Sequence, residues 1–340
     1  MEILPIAALT LMANCSISAI ALIIVKNTKP VKIFEIHKLR IFVVNYCINF
    51  KCQNRQNSDL AKQCQTCGTN LLINHRYRLL KPLRSLTLGH PTEIFEAEDW
   101  GTGEQEWGTR KVIKVLKFPN NTNLLQLFKQ EARVLIWLRN PAIPRVAPDG
   151  YFSILFDDNS QQFPCLAMEK ILGENLALWL EKNQHISQEI AINWLQQLTE
   201  ILCNIHSYQI IHRDIKPSNI ILQPNGKLAL IDFGSVKIEN SENIPVGSLG
   251  YAAPEQIAGK AVPQSDFFAL GRTLVHLLTG QSPLDFPINQ GKNQIIWYNS
   301  SINIEKSLAN LLNKMMNSQP EKRPKNTRSI SKSLNNIKIR

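Results

Sequence analysis

The sequence predicts an α+β protein with a strand-rich first lobe and a mostly helical second lobe, preceded by a small metal-binding head. Three observations carry this. Strand-type alternation recurs up to about residue 170, as in Arg110-Lys111-Val112-Ile113-Lys114-Val115-Leu116. Beyond it the apolar period turns helical, as in Ile190-Ala191-Ile192-Asn193-Trp194-Leu195 and Ser307-Leu308-Ala309-Asn310-Leu311-Leu312. Ahead of both, four cysteines fall in two close pairs. A chain of 340 residues has room for one two-lobed domain of about 260 residues plus the head, and for no further domain. There are no internal repeats or low-complexity tracts. The net charge is +11, but the basic tail, 322–340, has no interleaved aromatics. It is read as a solvated surface rather than a nucleic-acid face.

The first element is residues 1–43. Its uncharged, mostly apolar part, 3–25, is long enough to span the roughly 30 Å core of a bilayer. Lys26, Lys29, Lys32, Lys38 and Arg40 follow, and such a basic flank keeps the downstream chain in the cytoplasm. Thr10, Asn14, Ser16 and Ser18 interrupt the run, so two readings stay open: a membrane anchor, or a true start near Val43 or Val44.

The second element, 44–73, holds Cys47-x4-Cys52-x11-Cys64-x2-Cys67. Four thiolates can close a tetrahedral zinc site, and Cys67-Gly68 suits a tight turn that aims amides at sulfur. The pattern resembles a small zinc ribbon. Two disulfides or free thiols compete with it, the disulfides being disfavoured in a reducing compartment. An iron–sulfur cluster lacks a third close cysteine. Cys15, Cys165 and Cys203 show no ligand spacing.

The second lobe carries the chemistry. In His212-Arg213-Asp214-Ile215-Lys216-Pro217-Ser218-Asn219, Asp214 could take the proton of an acceptor hydroxyl, Lys216 could reach a transferring phosphoryl group, and Asn219 offers an amide oxygen to a metal. Asp232-Phe233-Gly234 adds a second hard oxygen ligand, suited to magnesium, followed by an apolar anchor and a flexible joint. Either block alone usually marks a turn; the ordered pair points to phosphoryl transfer.

These blocks resemble those of the eukaryotic-like serine/threonine protein kinases, which implies a two-lobed kinase fold over 76–338. By that resemblance Lys114 of Val112-Ile113-Lys114 binds the α- and β-phosphates and pairs with Glu131, on a helix whose apolar side is Phe128, Leu135 and Leu138. Gly247-Ser248-Leu249-Gly250-Tyr251-Ala252-Ala253-Pro254-Glu255 is similar to the segment that closes the activation loop, with serine for threonine at 248. Glu255 is then expected to pair with Arg323, and Asp266 to support the catalytic loop. Met168 falls at the gatekeeper position. Backbone groups of Glu169 and Ile171 are expected to hold adenine, and Glu174 to reach the ribose. Lys216 and the form of the closing segment imply serine or threonine acceptors. The four-cysteine head ahead of this domain is similar to a bacterial subgroup of these kinases, and that resemblance covers 44–340.

One element departs from the family. Where it has Gly-x-Gly-x-x-Gly, this chain reads Leu83-Arg84-Ser85-Leu86-Thr87-Leu88-Gly89, leaving Gly89 in register and Arg84 and Leu86 at the lost positions. Those glycines let amides approach phosphate, so the nucleotide cover is expected to be stiffer or reshaped. Arg84 either faces solvent or offers its guanidinium to a phosphate. The decoy Gly101-Thr102-Gly103 is read as a hairpin loop.

The resemblance implies a non-specific serine/threonine protein kinase using ATP and magnesium, with structural zinc, acting on protein substrates and on itself at Ser241 or Ser248. A signal peptide would export a domain that needs ATP, so a cytoplasmic location is expected, with membrane attachment through 3–25 if that run inserts. The alternatives are a pseudokinase scaffold with a zinc-ribbon interaction module and a zinc-dependent nucleic-acid binder.

Overall fold

The computed structural model describes residues 44–86, 89–101, 108–156, 161–238, 244–289, 291, 294–298 and 304–337. The apolar run 3–25 therefore lies outside the described residues, and among those described no helix is long and apolar enough to cross a membrane.

The head begins with a two-stranded ribbon, β1 (Asn45–Tyr46) and β2 (Gln56–Asn57), and runs into β3 (Leu72–Ile73), the edge of a six-stranded antiparallel sheet. That sheet continues with β4 (Tyr77–Pro82), β5 (Thr92–Asp99), β6 (Thr109–Leu116), β8 (Gln162–Glu169) and β7 (Tyr151–Leu155), in the order β3-β4-β5-β6-β8-β7. Strand alternation sorts β6 between two faces. Ile113 and Val115, fully buried, join a cluster with Leu79, Phe95, Ala97 and Phe163, whereas Leu116 joins the core shared with the helical lobe. Lys114, between them in sequence, opposes Ile94 on β5 and Leu166 on β8. Pairing runs to Asp99↔Thr109, so the Gly101–Gly108 decoy does fall on a β5–β6 hairpin connection, although 102–107 lie outside the described residues.

The head is not a separate bead. Ile48 is buried in the sheet's outer cluster, against which Tyr46 and Phe50 also pack. The Tyr46 ring lies 5.7 Å from that of Phe95, and Phe50 meets Phe156 and Phe163 edge-on at 5.5 and 5.1 Å. Arg55 ties the two together: it donates to the Cys47 and Ile48 carbonyls and forms a 2.8 Å ion pair with the buried Glu93 of β5.

Between β6 and β7 runs α1 (Thr122–Trp137), capped by the Asn121 side chain, which accepts from the Leu124 amide. Phe128, Glu131, Ala132 and Leu135 are its buried stripe at helical spacing. Leu138, also buried, is its extended C-cap, one residue past the helix. The second lobe comprises β9 (Glu174–Asn175), α2 (Leu176–Asn183), α3 (Gln188–Ser207), β10 (Ile210–Ile211), β11 (Ile220–Leu222), β12 (Leu228–Leu230), β13 (Lys237–Ile238), α4 (Pro254–Ile257), α5 (Pro263–Thr279), β14 (Ile288–Asn289), β15 (Gln294–Ile295), α6 (Lys306–Met315) and α7 (Thr327–Asn335). α5 starts on Pro263, whose missing N–H costs nothing at a first turn, and it is apolar nearly all round because α3, α6 and the catalytic loop surround it. The short sheet β12-β11-β9 and the pair β10-β13 carry the loops of the candidate site.

The expected Glu255–Arg323 pair is present and bidentate, at 2.6 and 2.8 Å, with Ser265 donating to the same carboxylate. Burial alone would raise the Glu255 carboxyl; the hydrogen bonds and charge of Arg323, with Ser265, hold it below its ordinary range. The arginine spends further donors on the Asn317, Ser318 and Gln264 carbonyls, which pins α4 to the start of α5 and the turn before α7.

Candidate active site

The catalytic-loop residues converge because β10, β11 and their connection bring them to one edge. Asp214 is held at both oxygens. Oδ1 accepts from the Ser248 hydroxyl at 2.6 Å, and Oδ2 accepts from Asn219 Nδ2 and Lys216 Nζ, each at 2.9 Å. The Lys216 ammonium also donates to the Ser248 oxygen at 2.6 Å. With Nδ2 of the buried Asn219 committed to Asp214, its Oδ1 is the atom it can present to a cation.

On the other side, Lys114 Nζ donates to both oxygens of Glu131 at 2.9 and 2.8 Å and to Asp232 Oδ1 at 2.9 Å. This joins β6, α1 and the loop after β12. Burial alone would favour a neutral lysine, but the Asp232 and Glu131 charges outweigh it and hold Lys114 cationic. Burial likewise pushes the Asp232 carboxyl up, and the Lys114 charge with the Gly234 amide reverses this, keeping it well below the usual carboxylate range. Burial pushes Glu131 up as well; the bidentate contact with Lys114 works against this and favours the ionised form. Asp232 has a left-handed φ of 64°, unusual for a residue with a side chain, and it brings Oδ1 to Lys114.

Space is tight at Gly234. A Cβ there would lie 3.0 Å from Lys114 Nζ and 3.2 Å from oxygens of Asp232 and Glu131. Gly234→Ala is therefore expected to prise the triad apart and lower any phosphoryl-transfer rate by about tenfold or more, since small misplacements at a reacting centre are costly. Steady-state kinetics on a variant of unchanged melting temperature checks this; a rate within twofold of wild type would show that the triad tolerates the methyl group.

Asp266, expected as support, accepts the His212 and Arg213 amides at 2.9 and 2.8 Å, and it also contacts His206 Nε2 at 2.8 Å. Those bonds help hold Arg213 at a left-handed φ of 66°. The Arg213 guanidinium donates to the Ser235, Val236 and Ile244 carbonyls, so main-chain groups on both limbs of the activation segment take up its donors. Phe233 is fully buried, edge-on to His212 at 4.8 Å.

In the connection between the lobes, Met168 opposes Val112, and the Glu169 amide donates to the Arg145 carbonyl at 2.8 Å. Ile171 is half-buried beyond the strand, and Glu174 is engaged by Lys182. In the β4–β5 connection, Gly89 is exposed, its φ is not left-handed, and no described residue beyond its chain neighbours lies within 4 Å of where a Cβ would stand. Its backbone thus makes no demand for glycine. Leu86 packs against the outer cluster, whereas Arg84 reaches back to Thr92.

The four cysteine sulfurs lie within 4.8 Å of one another, with Cys47–Cys67 and Cys52–Cys64 each at 3.7 Å. A disulfide needs about 2.05 Å. Four sulfurs about 2.3 Å from a tetrahedral zinc stand about 3.8 Å apart, so the cluster has the dimensions of such a site. Burial pushes the Cys47 thiol well up and Cys52 to about 11. Cys64 is lowered to about 6, because amides of Cys67 and Thr66 and the Asn57 side chain overcome its burial. The expected knuckle turn at Cys67-Gly68 is present, Gly68 having φ 76°.

His206 and Arg55 carry no motif and are not singled out by sequence reasoning. Nor is Gln256, which donates to the Arg213 and Val246 carbonyls. No local signal marks them, since each acts on a partner far along the chain.

A family model described as "Protein kinase domain" matches residues 104–334. Among curated proteins, the chain is 30% identical over 308 residues to serine/threonine-protein kinase B of Synechocystis sp., covering 86% of this chain and 52% of that protein. It is 33% identical over 279 residues to serine/threonine-protein kinase PknA of Nostoc sp., covering 77% and 47%. It is also 33% identical over 284 residues to serine/threonine-protein kinase D of Synechocystis sp., covering 79% and 53%. The chain spans about half the length of these relatives.

Proposed function

Because this chain belongs to the protein kinase family, we propose that it transfers the γ-phosphate of ATP to serine and threonine hydroxyls of proteins, its own included. The observation that carries this is Asp214, fixed by Asn219, Lys216 and Ser248, in the same lobe-to-lobe site as the Lys114–Glu131–Asp232 triad. In this reading Asp214 accepts the proton of the incoming hydroxyl and aims its oxygen in line with the leaving group. Lys216 offsets charge on the transferring group, and Lys114, held by Glu131, binds the α- and β-phosphates. Asp232 and the Oδ1 of Asn219 would hold magnesium with hard oxygen ligands, and the ion would offset the charge of the nucleotide phosphates. The Glu169 carbonyl and Ile171 backbone receive the adenine edge.

We assign structural zinc to Cys47, Cys52, Cys64 and Cys67, on the strength of the sulfur spacing. The head, 44–73, and the kinase domain, 76–338, then act as one body, and a cytoplasmic location supplies both ATP and reduced thiols. Ser248 is occupied by Asp214 and Lys216, which favours Ser241, outside the described residues, as the acceptor within the chain.

The test is transfer of labelled γ-phosphate from magnesium-ATP to the protein and to a generic basic substrate, followed by mapping of modified residues. Transfer is expected, with Ser241 modified. An unmodified Ser241 in active protein removes that acceptor only. Metal-loaded protein that binds magnesium-ATP without any transfer marks a scaffold and overturns the enzymatic reading.

A further inference from the structure

The cover of the nucleotide site has lost the glycines whose amides would approach phosphate, yet it has gained a cation. Arg84 stands at one lost position, just past β4, and its Nη2 donates to the Thr92 hydroxyl at 2.6 Å and to the Thr92 carbonyl. Thr92 begins β5, so these bonds close the mouth of the β4–β5 hairpin with the guanidinium half-buried beneath it. Among the described residues its buried Nε has no acceptor. A buried guanidinium donor left unmet is costly and calls for a partner.

What surrounds this guanidinium says which partner. Burial works against its charge, and the carboxylates of Asp232, Glu93 and Glu131 oppose that effect. Its anchor Thr92 starts the strand whose Ile94, two residues on, opposes Lys114 on β6. Glu93 is already paired with Arg55, and Glu131 with Lys114. Arg84 thus adds a cation to Lys114 and Lys216 on the side of the site where the loop amides would have met phosphate.

We propose that Arg84 is a nucleotide phosphate ligand, its guanidinium replacing the amide contacts that the missing glycines would have supplied. Thr92 orients it, leaving the rest of the fork for the phosphate chain. Adenosine would not engage it. This rests on the ATP-binding reading above and deepens it.

The test is calorimetric titration of the full chain, metal-loaded, with magnesium-ADP and separately with adenosine, comparing wild type, Arg84→Ala, Arg84→Lys and Thr92→Val. The expected result is an ADP affinity about tenfold or more lower in Arg84→Ala, from loss of a charge-assisted contact. Arg84→Lys should recover part of the loss and Thr92→Val should show a smaller one, with adenosine affinity unchanged throughout. Unchanged adenosine binding also shows that each variant is folded. Equal effects on ADP and adenosine, or no effect, would overturn the assignment. Tighter ADP binding in Arg84→Ala would overturn it too, by showing that the arginine plugs the site. Wild-type protein that takes neither ligand would overturn the ATP reading itself, and this inference with it.

Discussion

Asp214→Asn is expected to lower kcat by about 100- to 10,000-fold, the range that a positioned general base supplies. The substitution is nearly isosteric. A carboxamide keeps one oxygen to accept from Asn219 or Lys216, but it cannot take up a proton, and its NH2 group would face a donor that now binds the carboxylate. Asp214 receives three side-chain donors, Asn219, Lys216 and Ser248. Fold and nucleotide affinity should therefore survive better than turnover does. Single-turnover kinetics beside ADP titration separates the two. A variant with normal ADP affinity and more than a tenth of the wild-type rate would remove Asp214 from the role of base.

Stripping the metal from the head is expected to lower the melting temperature of the whole domain, not only that of the head. The cysteine cluster shapes the two knuckles, and the knuckles hold Ile48 and Phe50 against the outer face of the sheet. Each such side chain contributes roughly 1.5–3 kcal/mol through burial. Loss of these two alone corresponds to about 6–12 °C at roughly 2 °C per kcal/mol for a domain of this size. The Arg55–Glu93 pair would go with them, leaving Glu93 buried and unpaired one residue from the Thr92 that orients Arg84. Cys64→Ser should reproduce the fall, while substitution of the exposed Cys203 should not. Calorimetric melting with and without chelator, alongside metal analysis, decides it. Metal-free protein melting at the holo temperature would show that the head's packing does not depend on its ion.

Several residues were legible from spacing because each belongs to a contiguous block with a chemical purpose. The four head cysteines and the catalytic-loop set of Asp214, Lys216 and Asn219 are of this kind, and the structure brings each set together. The Lys114–Glu131 pair was expected only from the family resemblance, and the two side chains do meet. At Gly89 no described residue crowds the position of a Cβ, and the mouth of the hairpin is closed by Arg84 and Thr92. The Arg213 guanidinium is engaged by three main-chain carbonyls, all at least 22 residues along the chain.

The sequence by itself determined the family, the order of the two lobes, the four-cysteine pattern of the head and the residue types available to the candidate site, all of which depend on motifs and periodicity close along the chain. Tertiary structure alone decided which way Arg84 turns, that the head shares a core with the sheet, and that Ser248 binds Asp214 across the activation segment. Those outcomes depend on the competition of distant partners for one side chain. A guanidinium or hydroxyl carries no local signal of which acceptor it will meet, and packing settles that only when strands far apart in sequence have been brought into register.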